Sequence, residues 1–415
     1  MDLLVVPVPL FNKDIAVEAY YFRHHKGNDI LQASKGTSFL DGAMYSPPLE
    51  MLNTIGVEAL SMGKPMFVPI DNYMLLASLE LQCSQPADKI IFLLDDEVLM
   101  DEPHLANMRR LKGLGYRFGI QKIMSVEHYI PVLDMCDFVF YDYRLIDTAE
   151  QQQLRTDMER QYKKIQAVFT HINTMDLFKG AIVQCPGCWY EGRFYRTPLT
   201  KGQTEVSPLQ INQINLLNLV RDENFEFDDV AKIIQRDTAL TIALLRLVNS
   251  PFIGLRNKVK TINHAVTMLG QTEVRKWITT AVSKLLGADK PNEITRLSLV
   301  RARFCEALAV KFGMEDEAQG MFLMGLFSVL DAILERPMDE ALQLVHVSDV
   351  IYEALVDHKG AYYPVYEFLL QYEGANWKTV SRMLILYDVA TEDVYASYVD
   401  ALCWYRELLD DAPGA

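Results

Sequence analysis

The sequence contains no run approaching the roughly 18 consecutive apolar residues that a bilayer-spanning helix needs. Its opening stretch, MDLLVVPVPLFNKD, has neither the basic start nor the small-residue cleavage site of a secretory signal. These absences lead to the expectation of a cytoplasmic protein without membrane insertion. Positive charge is also scarce: 40 Lys and Arg stand against 55 Asp and Glu, for a formal net charge of −15. Such a surface repels the phosphate backbone, so direct nucleic-acid binding is not expected. Fixed-period repeats and low-complexity tracts are lacking too, which excludes solenoids and linker-dominated architectures.

Cysteine is sparse. Cys83, Cys136, Cys305 and Cys403 stand singly in apolar surroundings, the setting of reduced, buried thiols. Cys185 and Cys188 form CPGC, but no second CxxC follows, so four zinc ligands cannot be assembled from paired motifs. The sequence favours a loop there, with a low-pKa dithiol as the alternative.

What remains is ordinary globular material: 415 residues, 50% hydrophobic and 23% charged, too long for one average core. Over residues 1–200, short β-branched and aromatic runs alternate with longer mixed stretches: LLVVPV, EAYYFR, PMFVPI, KIIFLL, YRFGIQKI, FVFYDY, AVFTHI and CWYEGRFY. Eight repeats of strand then helix predict a TIM-type (β/α) barrel. The polar stretch TKGQTEVSP, Thr200 to Pro208, marks a boundary. We therefore expect a barrel domain over 1–200, a linker over 201–207 and a helical domain over 208–415, an α/β plus all-α fold.

In the second half the apolar spacing is helical: Val230, Ile233, Ile234; then Leu240, Leu244, Leu247, Val248; then Val274, Trp277, Ile278, Ala281, Val282. Asp237 is placed as an N-cap, Asn249-Ser250-Pro251 as a stop and Gly270 as a helix C-terminal glycine. The strings IIQRDTALTIALLRLVNSPFIG, TINHAVTMLG and MGLFSVLDAILERPMDEAL resemble the HDOD family, helical output domains related to metal-dependent HD phosphohydrolases but without their catalytic pattern. The resemblance covers most of residues 205–395. In accord with it, this half offers only His264, His346 and His358, and its single adjacency, Asp357-His358, runs in reverse order. His264 is expected to pack within its apolar helix, and Asp331 to serve a helix-helix or capping hydrogen bond, rather than to bind metal.

A strand-helix repeat followed by that domain is similar to the EAL–HDOD signalling proteins of bacteria, whose first domain resembles the EAL phosphodiesterases that hydrolyse cyclic di-GMP. Those enzymes hold two divalent metals with carboxylate and amide oxygens at the strand ends. Position by position, the resemblance implies that this chain departs from the pattern. Val8 stands for the nucleotide-contacting Gln, and Ala19 for the metal-binding Glu of ExLxR, whose Arg is kept as Arg23. Glu18 is one residue away, and alternation on a strand turns it to the other face. Pro69 falls where the metal-binding Asn belongs, with Asn72 further on. Asp95, Asp96 and Glu97 lie beyond the inward position, which falls near Leu93. Gln121 and Lys122 replace the paired aspartates, the latter placing an ammonium among would-be ligands. Phe140 and Asp142 take the KxD positions, Thr170 and Asn173 the two glutamates of ExVE, and Glu191 the Gln of the final QG pair with Gly192.

From this resemblance we expect a non-catalytic signalling protein with no cofactor and no metal, a barrel that has lost its metal and nucleotide ligands, and action through signalling partners whose identity the sequence does not give. The residue balance is against cyclic di-GMP binding, and a homo-oligomer is compatible with the sequence. A residual phosphodiesterase using Glu18, Asp95, Asp96 and Asp142, or an inert cyclic di-GMP receptor, are the alternatives. Two aromatic stretches, 358–377 and 394–408, could serve as partner surfaces or as core, with core the commoner use of such residues.

Overall fold

The computed structural model describes residues 4–24, 47–123, 125–196, 208–220, 224–249, 259, 261–286, 292–345 and 347–410. The expected linker 201–207, most of the Thr200–Pro208 boundary, Ser250-Pro251 and His346 lie outside the described residues. Two compact units emerge: Met1–Tyr195 with Leu370–Cys403, and Arg196–Leu369 with Trp404–Ala415.

In the first unit eight strands close into a barrel in chain order: β1 (Val5–Phe11), β2 (Val17–His24), β3 (Met66–Pro69), β4 (Ile90–Leu94), β5 (Arg117–Gln121), β6 (Phe138–Asp142), β7 (Gln166–Thr170) and β8 (Trp189–Tyr190). Each overlaps one of the eight apolar runs. β2 to β8 run parallel, whereas β1 is antiparallel to both of its neighbours. The reason is local, since a parallel pair needs a crossover of a dozen or more residues. Here Asn12 closes a tight connection by accepting at Oδ1 from the backbone N–H groups of Asp14 (2.8 Å) and Ala16 (3.1 Å). Consequently the first residue of β1, Val5, pairs with His24 at the C-terminal rim of the barrel.

The connecting helices are α1 (Pro47–Ser61, broken at Gly56), α2 (Asn72–Leu76), α3 (Leu79–Gln82), α4 (Glu102–Gly113), α5 (Val126–Leu133), α6 (Ala149–Gln161) and α7 (Met175–Gln184). Asp71, Asp101, Thr148 and Thr174 cap α2, α4, α6 and α7 by accepting from backbone N–H groups of the first turn.

The second unit is helical: α8 (Pro208–Leu219), α9 (Phe227–Ile234), α10 (Thr238–Val248), α11 (Ile262–Leu286), α12 (Asn292–Lys311), α13 (Ala318–Phe327), α14 (Leu330–Leu334), α15 (Met338–Leu344) and α16 (Asp349–Tyr352). Asp237 caps α10 as expected, accepting from Leu240 N (3.1 Å) and, at its other oxygen, from Gln213 Nε2 (3.1 Å). Asn249 ends α10 with its side chain on Leu245 O and Val259 O. Gly270 adopts φ 77° and breaks α11 where a C-terminal glycine was expected.

Three more helices follow: α17 (Tyr363–Glu373), α18 (Trp377–Leu386) and α19 (Thr391–Asp410). The sequence assigned all of 208–415 to the helical domain, but Leu370–Cys403 groups with the barrel. Buried Tyr372 donates its hydroxyl to Val5 O (2.8 Å) and packs its ring against Trp377 and Tyr398. Helical periodicity specifies that a face is buried, not which core it joins, so the sequence could not divide these helices. Tyr366, Phe368, Tyr372, Tyr398 and Tyr405 are all buried, which places much of both aromatic stretches in core packing.

Candidate functional site

A (β/α) barrel does chemistry at the C-terminal ends of its strands, with the side chains below filling the lumen. Alternation along the strands sends Val8, Leu10, Ala19, Tyr21, Phe67, Ile91, Leu93, Phe138, Phe140, Val168 and Trp189 into one apolar cluster. Phe67 makes edge contacts with Phe138 (4.9 Å), Phe140 (5.1 Å) and Trp189 (6.5 Å), and Tyr21 meets Phe140 (6.0 Å). Ala19 and Leu93 both lie in this cluster, and Phe140 plugs the lumen.

Glu18 does not reach that space. The β1–β2 register shifts between Leu10 and Phe11, so that Leu10 pairs with Ala19 and Phe11 with Val17, leaving Glu18 as the extra residue of a bulge. Its carboxylate accepts from Asn12 Nδ2 (2.6 Å) at the N-terminal end of β2. The bulge therefore settles Glu18 in the β1–β2 connection and leaves Arg23 at the mouth.

Above the plug, polar groups pair with one another. Arg23 donates from Nε to Tyr21 Oη (2.6 Å) and from Nη2 to Glu191 Oε1 (2.9 Å). Glu191, only 3% exposed, uses its second oxygen to accept from His171 N (3.0 Å). Thr170 gives its proton to Tyr141 O (3.2 Å), so His171 Nδ1 is the donor to Thr170 Oγ1 (2.9 Å), with Asp142 Oδ1 at 3.4 Å. Asp142 in turn takes the Arg144 guanidinium in a fork of 2.6 to 3.2 Å. Burial and the Glu191 charge push the Tyr21 phenol upward, so it is a neutral hydroxyl. Burial pulls Asp142 up, but hydrogen bonds from Arg144 outweigh it and hold the carboxyl below its usual range. Burial lowers His171, against the pull of Asp142 and Glu191, and favours neutral imidazole.

Local backbone fixes this constellation. His171 sits at φ 66°, a left-handed conformation, and Gly192 at φ 154°. A Cβ on Gly192 would lie 1.7 Å from Ile172 O, so the turn carrying Glu191 requires glycine.

The remaining positions from the sequence separate. Pro69 and Gln121 are half-buried at the ends of β3 and β5. Lys122 is exposed at φ 61°, which corrects the expectation of an ammonium among would-be ligands in a partly buried site: the backbone turns left-handed right after β5 and frees the side chain to solvent. Asn173 is exposed and accepts from Arg193 N (3.4 Å). Asn72 bridges loops, giving Nδ2 to Glu97 O and accepting from Leu99 N. Asp95 accepts from Glu97 N, a turn contact, while Asp96 and Glu97 are exposed. Glu18, Asp95, Asp96 and Asp142 are thus not gathered, and among the described residues no three His, Cys, Asp or Glu side chains are arranged to hold a metal ion. The donor set does not fit a two-metal centre: Asp142 and Glu191 are each engaged by a guanidinium, and Asp95 accepts from its own turn. Sequence reasoning missed His171 and Arg144; the one signal for them was their proximity to Thr170 and Asp142.

In the helical unit His264 is exposed rather than packed, because it falls on the outer face of α11. His358 is exposed as well, at φ 54°. Asp331 is half-buried, with its pKa raised by burial, and accepts from Ala332 N (2.8 Å), a bond to the next residue's backbone rather than the expected helix-helix or capping bond.

Residues 208–343 match the HDOD domain, a shorter span than the 205–395 read from the motifs. Along its whole length the chain is similar to the uncharacterized protein YuxH of Bacillus subtilis, 27% identical over 99% of this chain and 100% of that one. It is also 27% identical to the cyclic di-GMP phosphodiesterase CdgJ of Vibrio cholerae, over 53% of this chain and 51% of the relative, so it spans about half of that protein. Among solved structures, the EAL enzyme Bd1971 with cAMP and cyclic di-GMP bound aligns with a TM-score of 0.36 and 13% identity, over 46% of this chain and 60% of that one. Among the described residues no helix is long and apolar enough to cross a membrane.

Proposed function

We propose that this chain is a non-catalytic signalling protein of a cyclic di-GMP-related pathway, whose barrel and helical unit act by presenting surfaces to protein partners. The observation that carries the reading is the Arg23–Glu191 ion pair closed over a lumen filled by Phe140. Arg23 is the one residue of the resemblance pattern suited to grip a phosphate bidentately. Glu191 already occupies it, and a phosphate arriving there would meet a buried carboxylate of like charge. The relative CdgJ supports the pathway assignment, and the altered site argues against the reaction.

The test combines two measurements on the full chain. Incubation with cyclic di-GMP and Mg²⁺ or Mn²⁺ is expected to give no linear dinucleotide above the protein-free control, and saturating cyclic di-GMP no rise in Tm. Metal-dependent product would replace this reading with a residual phosphodiesterase; a Tm rise of several degrees without product would replace it with a nucleotide receptor.

A further inference from the structure

The CPGC segment is not used by the mouth network, yet its surroundings differ from those of Cys83 and Cys136. Cys185 follows the last residue of α7, and Cys188 stands just before β8. Between them Gly187 adopts φ 89° and Cys188 N closes back on Cys185 O (3.4 Å), a tight turn that holds the two side chains on one side. Arg155, on α6, aims Nη2 at Cys185 Sγ from 2.9 Å while its guanidinium lies over the Phe169 ring. A guanidinium can only donate, so this contact selects an electron-rich sulfur.

We propose that Cys185 and Cys188 form a redox-active dithiol that a hydroperoxide oxidises to an intramolecular disulfide. The Cys188 S–H and then Arg155 stabilise the Cys185 thiolate, and although burial opposes them the thiol is held down at about 7. Cys188, as the donor of the pair, is pushed up. Cys83 and Cys136 are pushed up by burial, which outweighs a backbone hydrogen bond from Gln85 at the one and the Lys112 charge near the other. The groups facing the pair are Arg155 and Glu159 from α6, Tyr141 from β6, Tyr143 from the turn after it, and Tyr190 from β8, of which Arg155 alone is a cation. Cys185 is 8% exposed and Cys188 half-exposed, which suits a small oxidant.

In the first step the Cys185 thiolate attacks one peroxide oxygen: an S–O bond forms, the O–O bond breaks, and the alkoxide or hydroxide leaving group takes a proton from solvent. In the second the Cys188 sulfur attacks that of Cys185: the S–S bond forms, the S–O bond breaks, and the departing hydroxide leaves as water with the Cys188 proton. The two sulfurs lose two electrons and the peroxide gains them.

The proposal is tested on the reduced full chain. Thiolate absorbance at 240 nm is expected to rise by one thiolate with a midpoint near 7. Cys185→Ser should abolish that step, Arg155→Leu should move it up by about one pH unit or more, and Arg155→Lys should restore part of the shift. At pH 7 the larger thiolate fraction, about fifteenfold, is offset about fivefold by lower intrinsic nucleophilicity, so limiting peroxide should oxidise Cys185 about threefold faster than in the urea-unfolded chain. Peptide mapping of the unsubstituted protein should then show a Cys185–Cys188 disulfide. A midpoint above 8, oxidation no faster than in the unfolded chain, or oxidised Cys185 without a bond to Cys188 would each overturn it.

Discussion

Arg23 and Glu191 lie 168 residues apart in sequence and 2.9 Å apart at the mouth of the barrel, where Tyr21 holds the guanidinium from below and His171 N–H holds the carboxylate from the side. With Arg23 side chain 25% exposed and Glu191 5%, the pair is largely removed from water. Removing one partner of such a pair strands the other, which is costlier than the pair is stabilising.

Glu191→Ala should therefore destabilise the barrel by about 3 kcal/mol, as measured by urea unfolding. Glu191→Gln, which keeps an acceptor for Arg23, should be the milder change. Equal, negligible losses in both would show that the pair is not held as described.

Gly192→Ala should be at least as severe, about 3 kcal/mol or more, because the added methyl would have to occupy the position of Ile172 O. A variant with unaltered Tm would contradict the turn geometry that places Glu191.

Tyr372 tests the division of the chain. Tyr372→Phe leaves Val5 O without its donor and should cost about 1 kcal/mol, while Tyr372→Ala opens a cavity beside Trp377 and Tyr398 and should cost about 4 kcal/mol. Hydrogen exchange should show the loss in β1 and β2. Exchange confined to residues 208–369 would mean that the C-terminal helices belong to the helical unit after all.

The mouth also sets a pH dependence. Burial lowers the folded-state pKa of His171 below its unfolded value near 6.5, so the unfolded chain binds the extra proton first. Its contribution is fully present above about 6.5 and lost as pH falls through that value toward the folded pKa. Asp142, also lowered, adds a second loss beginning below about 4. His171→Asn, a side chain that tolerates the left-handed backbone, should flatten the upper part of the stability profile and leave the lower part. An unchanged profile just below pH 6.5 would contradict this assignment.

Much of this was legible in the sequence. The eight β-branched and aromatic runs located all eight strands, while Ala19, Leu93 and Phe140 were placed by the family resemblance and lie together in the lumen cluster. Asp237 and Gly270 were readable because capping and left-handed backbone have strong residue preferences. The reversal of β1 was not, since it follows from a connection too short for a crossover rather than from the strand's composition. Nor could the destination of Tyr372 be read, because burial periodicity carries no address. Lys122 was misjudged because its placement rested on matching the residues after LGYRF to a family motif, which carries no sign of the left-handed backbone that turns the side chain to solvent, and His171 escaped attention because its role depends on Asp142 and Glu191, 29 and 20 positions away.

The central claim, that the barrel mouth seats no divalent cation because Asp142 and Glu191 are already engaged by Arg144 and Arg23, is tested most directly by titrating the full chain with Mn²⁺ and following free metal by electron paramagnetic resonance. The account predicts no saturable site tighter than about millimolar, unchanged by Asp142→Asn or Glu191→Gln. A stoichiometric site of micromolar affinity that either substitution removes would contradict it.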